Sequence, residues 1–414
     1  MNSEQTNWKL VGIVVGIGVL VLLLLLFLLS RVGGSSGSNG FGLFGTIGNR
    51  ILTSTGSNTG TNASSTVVSP NQAVPIIFKI ADGPVAGASF TQTQNPTTTL
   101  ARYVMQDNGH VFDMPMDVPG AAARIVSNVT IPGMTNIEWE PQGVGMLGQY
   151  IDNATIKTIH LSFPAASTTL AVIQPPTIKF FPDEISSIAL SPNGTQAAYL
   201  LNSAAGALGY IAANDGSKPT RLFSIPLSQV LLAWPSKSTL LAQSKSAAGV
   251  PGIAFSIQTT TGAVTELLYT LGLSVNASPD FANMVYQTVP ADGTARQVYV
   301  HNAATGRDTL LSFQPAPERC IWSPISTVVM YCAVPLQYTP PNYLDLWHQG
   351  TASSPDSIIG YNAATRVAIV VAGPGGTDGG VQTNIAQMAI SSDAHYLLFI
   401  SKGDRTLWGV RLTQ

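Results

Sequence analysis

The chain has 414 residues, 45% of them hydrophobic, but only 19 Lys or Arg and 21 Asp or Glu, for a net charge of −2. The charged share of 10% is well under the roughly 25% of soluble domains and leaves no basic field for nucleic acid and no Glu-, Lys- or Arg-rich coiled coil. Two cysteines exclude a disulfide-dense scaffold and a four-thiolate zinc centre.

In chain order, residues 1–9 form a short N-terminus that the positive-inside bias places in the cytoplasm. Leu10 to Ser30 follows as 21 uncharged residues, flanked by Trp8 and Lys9 on one side and Arg31 on the other. A helix of that length crosses a hydrocarbon core of about 30 Å, and its apolar run exceeds that of a cleaved signal, so residues 10–30 are predicted to be a single transmembrane anchor in membrane lipid. Gly12 and Gly16 form a small-xxx-small pair that offers a weak dimer contact. Residues 31–74 are rich in Gly, Ser, Thr and Asn without apolar periodicity and are predicted to be a flexible stalk. Phe41, Leu43, Phe44, Ile47, Ile51 and Leu52 interrupt it, either as a membrane-surface contact or as a short docking helix.

From residue 75 to 414 the chain repeats. Ile137-Glu138-Trp139-Glu140-Pro141, Leu190-Ser191-Pro192-Asn193-Gly194, Ala233-Trp234-Pro235-Ser236, Ala277-Ser278-Pro279-Asp280 and Trp322-Ser323-Pro324 are copies of one pattern, and Ile390-Ser391-Ser392-Asp393 is a degenerate last copy. The corner positions are spaced by 51, 43, 44, 45 and 68 residues. Each copy is an apolar run, a turn of Ser, Pro, Asn, Asp or Gly, and a second apolar run, which is a β-hairpin. A second hairpin follows in most units, turning at Asn214-Asp215-Gly216, Thr260-Thr261-Gly262 and Ala304-Thr305-Gly306. Four strands per unit of about 44 residues is the pattern of a propeller blade. The C-terminus supplies only three strands, and Ile76 to Ile80 reads as a lone strand that completes the last blade. The expected fold is therefore an all-β propeller of seven four-stranded blades, closed by pairing the two ends of the chain.

Several stretches carry a family resemblance. The Ser-Pro-Asn-Gly and Ser-Pro-Asp turns between apolar strands are similar to WD40-like and TolB-like propeller repeats. Pro84 to Ala88, Arg102-Tyr103-Val104 with Gly109 to Phe112, Cys320 to Ser323, Tyr331 to Pro335 and Leu407-Trp408 resemble an uncharacterised membrane-anchored propeller family of candidate-phylum bacteria. The resemblance covers about residues 75 to 414 and transfers no catalytic residue. The Trp-Asp ending of true WD40 repeats is absent.

The chemistry-bearing residues are sparse. Cys320 and Cys332 fall on the two strands of one hairpin and share a face if residue numbers pair to a sum of 652, which brings them to bridging distance; two reduced core thiols are the alternative. The histidines at 110, 160, 301, 348 and 395 are scattered, and no metal or cofactor set emerges. Gly33 to Gly37 and Gly40 to Gly45 match nucleophile-elbow and dinucleotide strings but lack the flanking strand and helix. The long last interval contains an insert at residues 336–357 with Tyr338, Pro340, Pro341, Tyr343, Asp345, Trp347 and His348. It is either a recognition surface, with Tyr338, Tyr343, Asp345, Trp347 and His348 as ligand contacts, or a lid over its own blade. Gly373 to Gly380 reads as a connector. These features point to a membrane-tethered, surface-displayed propeller that binds a protein or glycan without catalysis. The alternatives are a subunit of an envelope or secretion assembly, and a hydrolase or lyase with a site in the central channel.

Overall fold

The computed structural model describes residues 76–94, 97–118, 121–164, 174–290, 296–337, 340–373 and 383–412. The expected anchor, stalk and Gly12–Gly16 contact lie outside the described residues, as do Tyr338 and most of the Gly373 to Gly380 connector. Among the described residues no helix is long and apolar enough to cross a membrane.

Seven four-stranded antiparallel sheets form the body. The first described strand, β1 (Ile77–Ala81), is set apart from the first blade. Blade 1 is β2 (Val85–Gln92), β3 (Thr99–Met105), β4 (Val111–Pro115) and β5 (Arg124–Ser127). Blade 2 is β6 (Thr135–Trp139), β7 (Gly145–Asp152), β8 (Thr155–Ser162) and β9 (Thr177–Phe180), and blade 3 is β10 (Ile185–Leu190), β11 (Gln196–Ser203), β12 (Gly206–Ala213) and β13 (Thr220–Ile225). Blade 4 is β14 (Val230–Ser236), β15 (Thr239–Ser244), β16 (Pro251–Gln258) and β17 (Val264–Leu271). Blade 5 is β18 (Ser274–Ala277), β19 (Asn283–Thr288), β20 (Gln297–Asn302) and β21 (Arg307–Leu310), and blade 6 is β22 (Cys320–Ser323), β23 (Ser326–Pro335), β24 (Asp356–Asn362) and β25 (Val367–Ala372). Blade 7 has only β26 (Ile385–Ile390), β27 (Tyr396–Ser401) and β28 (Leu407–Arg411) from the C-terminus, and β1 adds its fourth strand by pairing with β28. The expected blade count and closure are both observed.

The repeated turn has a physical basis. The Ser191, Ser278 and Ser391 hydroxyls donate to Asn193, Asp280 and Asp393, at 2.8, 2.6 and 2.5 Å. The same hydroxyls accept the N–H of Gln196, Asn283 and Tyr396, at 2.9, 3.0 and 2.9 Å. Each corner thus satisfies its own backbone where the hairpin reverses. Burial works against the Asp393 carboxylate, but donors from Ser391 and His395 outweigh it and hold the group down at about 2. Pro235 departs from the expected corner: it lies inside β14, at a register shift between Ala233 and Ser236, and the turn falls at Lys237-Ser238. A proline donates nothing to a ladder, so an irregular position is where a strand tolerates it.

The core sits between blades, where the facing sheets of neighbouring blades pack together. Leu200, Phe223, Leu232, Trp234 and Leu240 fill the gap between blades 3 and 4, and Val300, Trp322, Met330 and Tyr361 the gap between blades 5 and 6. Closure of the ring uses a glycine for close approach. Gly409 of β28 lies opposite Phe78 of β1, and a side chain there would meet the Phe78 ring at 2.7 Å. The Arg411 guanidinium lies 5.4 Å from the Phe78 ring centre. Gly409→Val should therefore force β1 off its partner, with a loss of about 1–3 kcal/mol from overpacking. Thermal unfolding measures the loss, and limited proteolysis should cut first between residues 76 and 84 rather than in another loop.

Candidate functional site

The innermost strands surround a channel. At the end bearing the repeated turns, blades 7, 1, 2 and 3 enclose a cavity of about 420 Å³. Its polar lining is Ser89, Thr91 and Gln92 of β2, Thr99 of β3, Glu138, Glu140 and Gln142 at and after the end of β6, and Ser191, Ser391 and Ser392 of two repeat corners. A second cavity of about 470 Å³ continues inward past Gln387 to Glu318. Ser89, Glu138, Trp139 and Ile390 line both. No Lys, Arg or His is among the described residues that line either cavity.

Glu138 is the carboxylate at the junction. Its side chain is exposed to the channel, which strands of blades 1, 2 and 7 wall in around it. Confinement of this kind disfavours the carboxylate, and the pKa is pushed up to about 7. Glu140, two residues on, turns the other way. Its Oε1 lies 2.8 Å from His160 Nε2 and accepts a 2.6 Å hydrogen bond from Asn214 Nδ2, fastening blade 2 to the outer turn of blade 3. Both glutamates stand in the repeat segment Ile137 to Pro141, but the pattern alone distinguishes neither the one facing the channel nor the one locked behind it.

The insert lies at the opposite end of the ring. It contains a six-residue helix, α1 (Tyr343–His348), which sequence periodicity did not signal. Tyr343, Leu344 and Trp347 are buried against Ala316 and Ala352. Trp347 Nε1 donates to Asn384 Oδ1 at 2.8 Å, Arg319 lies 5.0 Å from its ring centre, and Lys402 donates to its carbonyl. Asp345 Oδ2 accepts the N–H of Ala248 in blade 4 at 3.0 Å. Of the ligand contacts expected here, Tyr343 and Trp347 are therefore turned into the protein, and Asp345 is engaged by a neighbouring blade. His348 is exposed and pairs with Glu318 at 2.9 Å. The helix thus packs on segments of blades 4 and 7 as well as on its own blade, which differs from a lid over blade 6 alone.

Beneath the helix, Arg319 and Asp356 form a buried ion pair, and Asp356 Oδ2 also accepts the N–H of Ile385 at 2.7 Å. Burial raises the Asp356 carboxyl despite the adjacent guanidinium. Burial likewise lowers Arg296 to about 10, where its guanidinium donates to the carbonyls of Pro315 and Gln314, both at 2.7 Å. The cluster spends its charges on one another and on backbone, as buried charges must. In blade 6, Cys320 and Cys332 pair directly in the β22–β23 ladder and form a disulfide, in the register expected of them. Among the described residues no group of three or more His, Cys, Asp or Glu is placed to hold a metal ion.

No protein-family model matches this chain, and no curated protein does. Solved structures do match. The β-propeller domain of Myceliophteria thermophila Cps50 (Swd1) has a TM-score of 0.51 at 10% identity, covering 81% of this chain and 98% of that one. An oligogalacturonate lyase in complex with manganese has a TM-score of 0.50 at 11% identity, covering 81% and 99%. TolB from Acinetobacter baumannii has a TM-score of 0.43 at 11% identity; the match covers 68% of this chain and spans 62% of TolB, and no argument rests on it. At such identities the likeness is one of fold.

Two outcomes follow from the site. For an acid whose folded pKa is raised, the folded state holds the extra proton, so stability is lost as pH rises from the unfolded value through the folded one. Glu138→Gln should therefore melt higher than the parent at pH 8 and at the same temperature near pH 4, in melts run across that range. Replacing Cys320 and Cys332 together by Ala should cost about 3 kcal/mol, the loop-entropy value for a short loop, and should remove the sensitivity of the melting temperature to reductant.

Proposed function

We propose that this protein is a binding module. Residues 10–30 tether it to the membrane, residues 31–74 act as a stalk, and the propeller, outside the cytoplasm, takes a segment of a protein or glycan into the channel mouth at the repeat-corner end. The supporting observation is the mouth itself, a cavity of about 420 Å³ lined by hydroxyls, side-chain amides and carboxylates from four blades. Rigid concave sites with a few convergent polar groups are the usual places for ligands. Because its hydroxyls and amides both donate and accept while its carboxylates accept, and no described Lys, Arg or His lines it, the ligand it suits is polar and presents donors to the carboxylates: sugar hydroxyls, peptide N–H groups or an amine. A ring that displays rigid edges also suits a scaffold role in an envelope or secretion assembly, with the same mouth as its docking point.

One observation favours a second reading, a hydrolase or lyase. A carboxyl held at about 7 is protonated often enough near neutrality to serve as a general acid. What the site lacks among its described lining residues is a partner base at a defined distance from Glu138.

A photo-crosslinking residue at Gln92, on the mouth, should capture a defined protein or polymer in native membranes, and the same residue at Phe180, on an outer strand, should not. Capture at the mouth should weaken in Glu138→Gln. No capture at Gln92, together with polymer turnover that Glu138→Gln abolishes, would replace the binding reading with the catalytic one.

A further inference from the structure

Each blade ends in an outermost strand with one unpaired edge, which is a template for another strand. Six of the seven carry charge on that strand: Lys79 in β1, Arg124 in β5, Lys179 in β9, Arg221 in β13, Glu266 in β17, and Arg307 with Asp308 in β21. Charges there resist edge-to-edge pairing, because self-pairing brings like charges together and strips them of water. The remaining strand, β25 of blade 6, reads Val367-Ala368-Ile369-Val370-Val371-Ala372 and carries none. Its side chains are not sheltered either: Val367 is 54% exposed, Ile369 59% and Val370 68%. On its inner side β25 pairs with β24, Asn362 to Ile359 matching Val367 to Val370 and Ile358 matching Ala372 past a bulge at Val371, and among the described residues no strand pairs with its outer side.

We infer that β25 is a self-association edge, on which a second copy of this chain adds its own β25 antiparallel across a two-fold axis. The occupant is a second copy because the strand is self-complementary. Reversed on itself, the six-residue strand sets Val, Ile and Ala against Val, Ile and Ala with no charge inside the ladder; the exposed Arg366 stands just outside its first residue. The same operation on β1, β9 or β17 sets Lys79, Lys179 or Glu266 against or beside its own copy. The two blades become one eight-stranded sheet, with ladder hydrogen bonds supplying affinity and the interdigitating Val and Ile side chains supplying register. Six residues a strand bury less than the roughly 1,600 Å² of a standard interface, so the association is a weak, reversible one.

The test uses the full chain in detergent. Ile369→Lys restores the kind of charge that six other edges carry and leaves the blade core untouched, so its melting temperature should equal the parent's. In sedimentation velocity the parent should associate reversibly and Ile369→Lys at least tenfold more weakly. Ile369→Glu should behave the same way alone, whereas an equimolar mixture of the Lys and Glu variants should associate again. Only apposition of the two 369 positions produces that recovery; a dimer made elsewhere in the chain does not. As a second readout, Ile369→Cys should form an intermolecular disulfide under mild oxidation that Lys79→Cys does not. A parent chain that stays monomeric, association unchanged in Ile369→Lys, or a Lys and Glu mixture that fails to recover would each overturn the assignment, including the cases in which the edge serves lipid or a different protein.

Discussion

The ring has to close, and every junction between blades carries the same burden. Adjacent sheets meet through apolar faces that could slide, because the hydrophobic effect is non-directional. What stops the sliding is a side chain reaching across to the backbone of the next blade. Arg102 donates to the Gly143 carbonyl from blade 1 to blade 2 at 2.8 Å, and Gln149 to the Ile185 carbonyl from blade 2 to blade 3 at 3.0 Å. Ser187 accepts the Leu232 N–H, Gln243 grips both the N–H and the carbonyl of Val275, and Asn276 donates to the Cys320 carbonyl. Asp356 takes the Ile385 N–H, and Arg405 returns the ring to the Val85 carbonyl. Each such bond fixes one blade's angle against the next, and β1 pairing with β28 converts seven fixed angles into a closed circle. With the first and last described strands in one blade, opening the ring requires breaking that sheet.

These locks explain much of the composition. Neutral Gln, Asn and Ser side chains provide four of the seven junctions; of the rest, Arg102 and Asp356 are buried with charged partners, and the half-buried Arg405 ends on backbone carbonyls. Burying a neutral amide with both its groups satisfied costs less than burying a charge. A body held by short polar side chains between apolar sheets, with Pro, Ser and Asn at its corners, needs few ionised residues. The low charge count is thus a property of the architecture first. It becomes informative about surfaces only where one blade departs from the others, as β25 does.

The periodic features were legible because they repeat. The hairpin corners, the four-strand unit and the missing strand of the last blade are all local patterns with a fixed spacing, and pairing parity alone set Cys320 against Cys332. What was not legible depends on one-off geometry. Glu138 and Glu140 occupy neighbouring same-parity positions of a short, irregular stretch, and only the turn Pro141–Gly143 that follows sends one side chain to the channel and the other behind it. Pro235 matches the corner pattern in sequence, yet a bulge carries the chain past it before it turns. The insert's aromatic content suggested display, but Leu344 and Trp347 sit three apart on a helix of two turns or less, and their shared face is apolar enough to be buried.

The insert also gives the ring a direction. Without it the two mouths of a propeller differ only in which hairpins line them. With α1 seated across loops of blades 4 to 7, one end is tied down by Asp345, Trp347, Asn384 and Lys402, while the other keeps the short repeat corners and an open cavity. Glu318 stands where these meet: it lines the inner cavity and pairs with His348 of the helix. A ligand entering at the open mouth would meet Glu138 first, in surroundings that hold its proton, and Glu318 last, in surroundings that already supply a partner. The channel is therefore graded in how readily each carboxylate accepts a new donor, and the group with most to gain from one is Glu138, nearest the entrance.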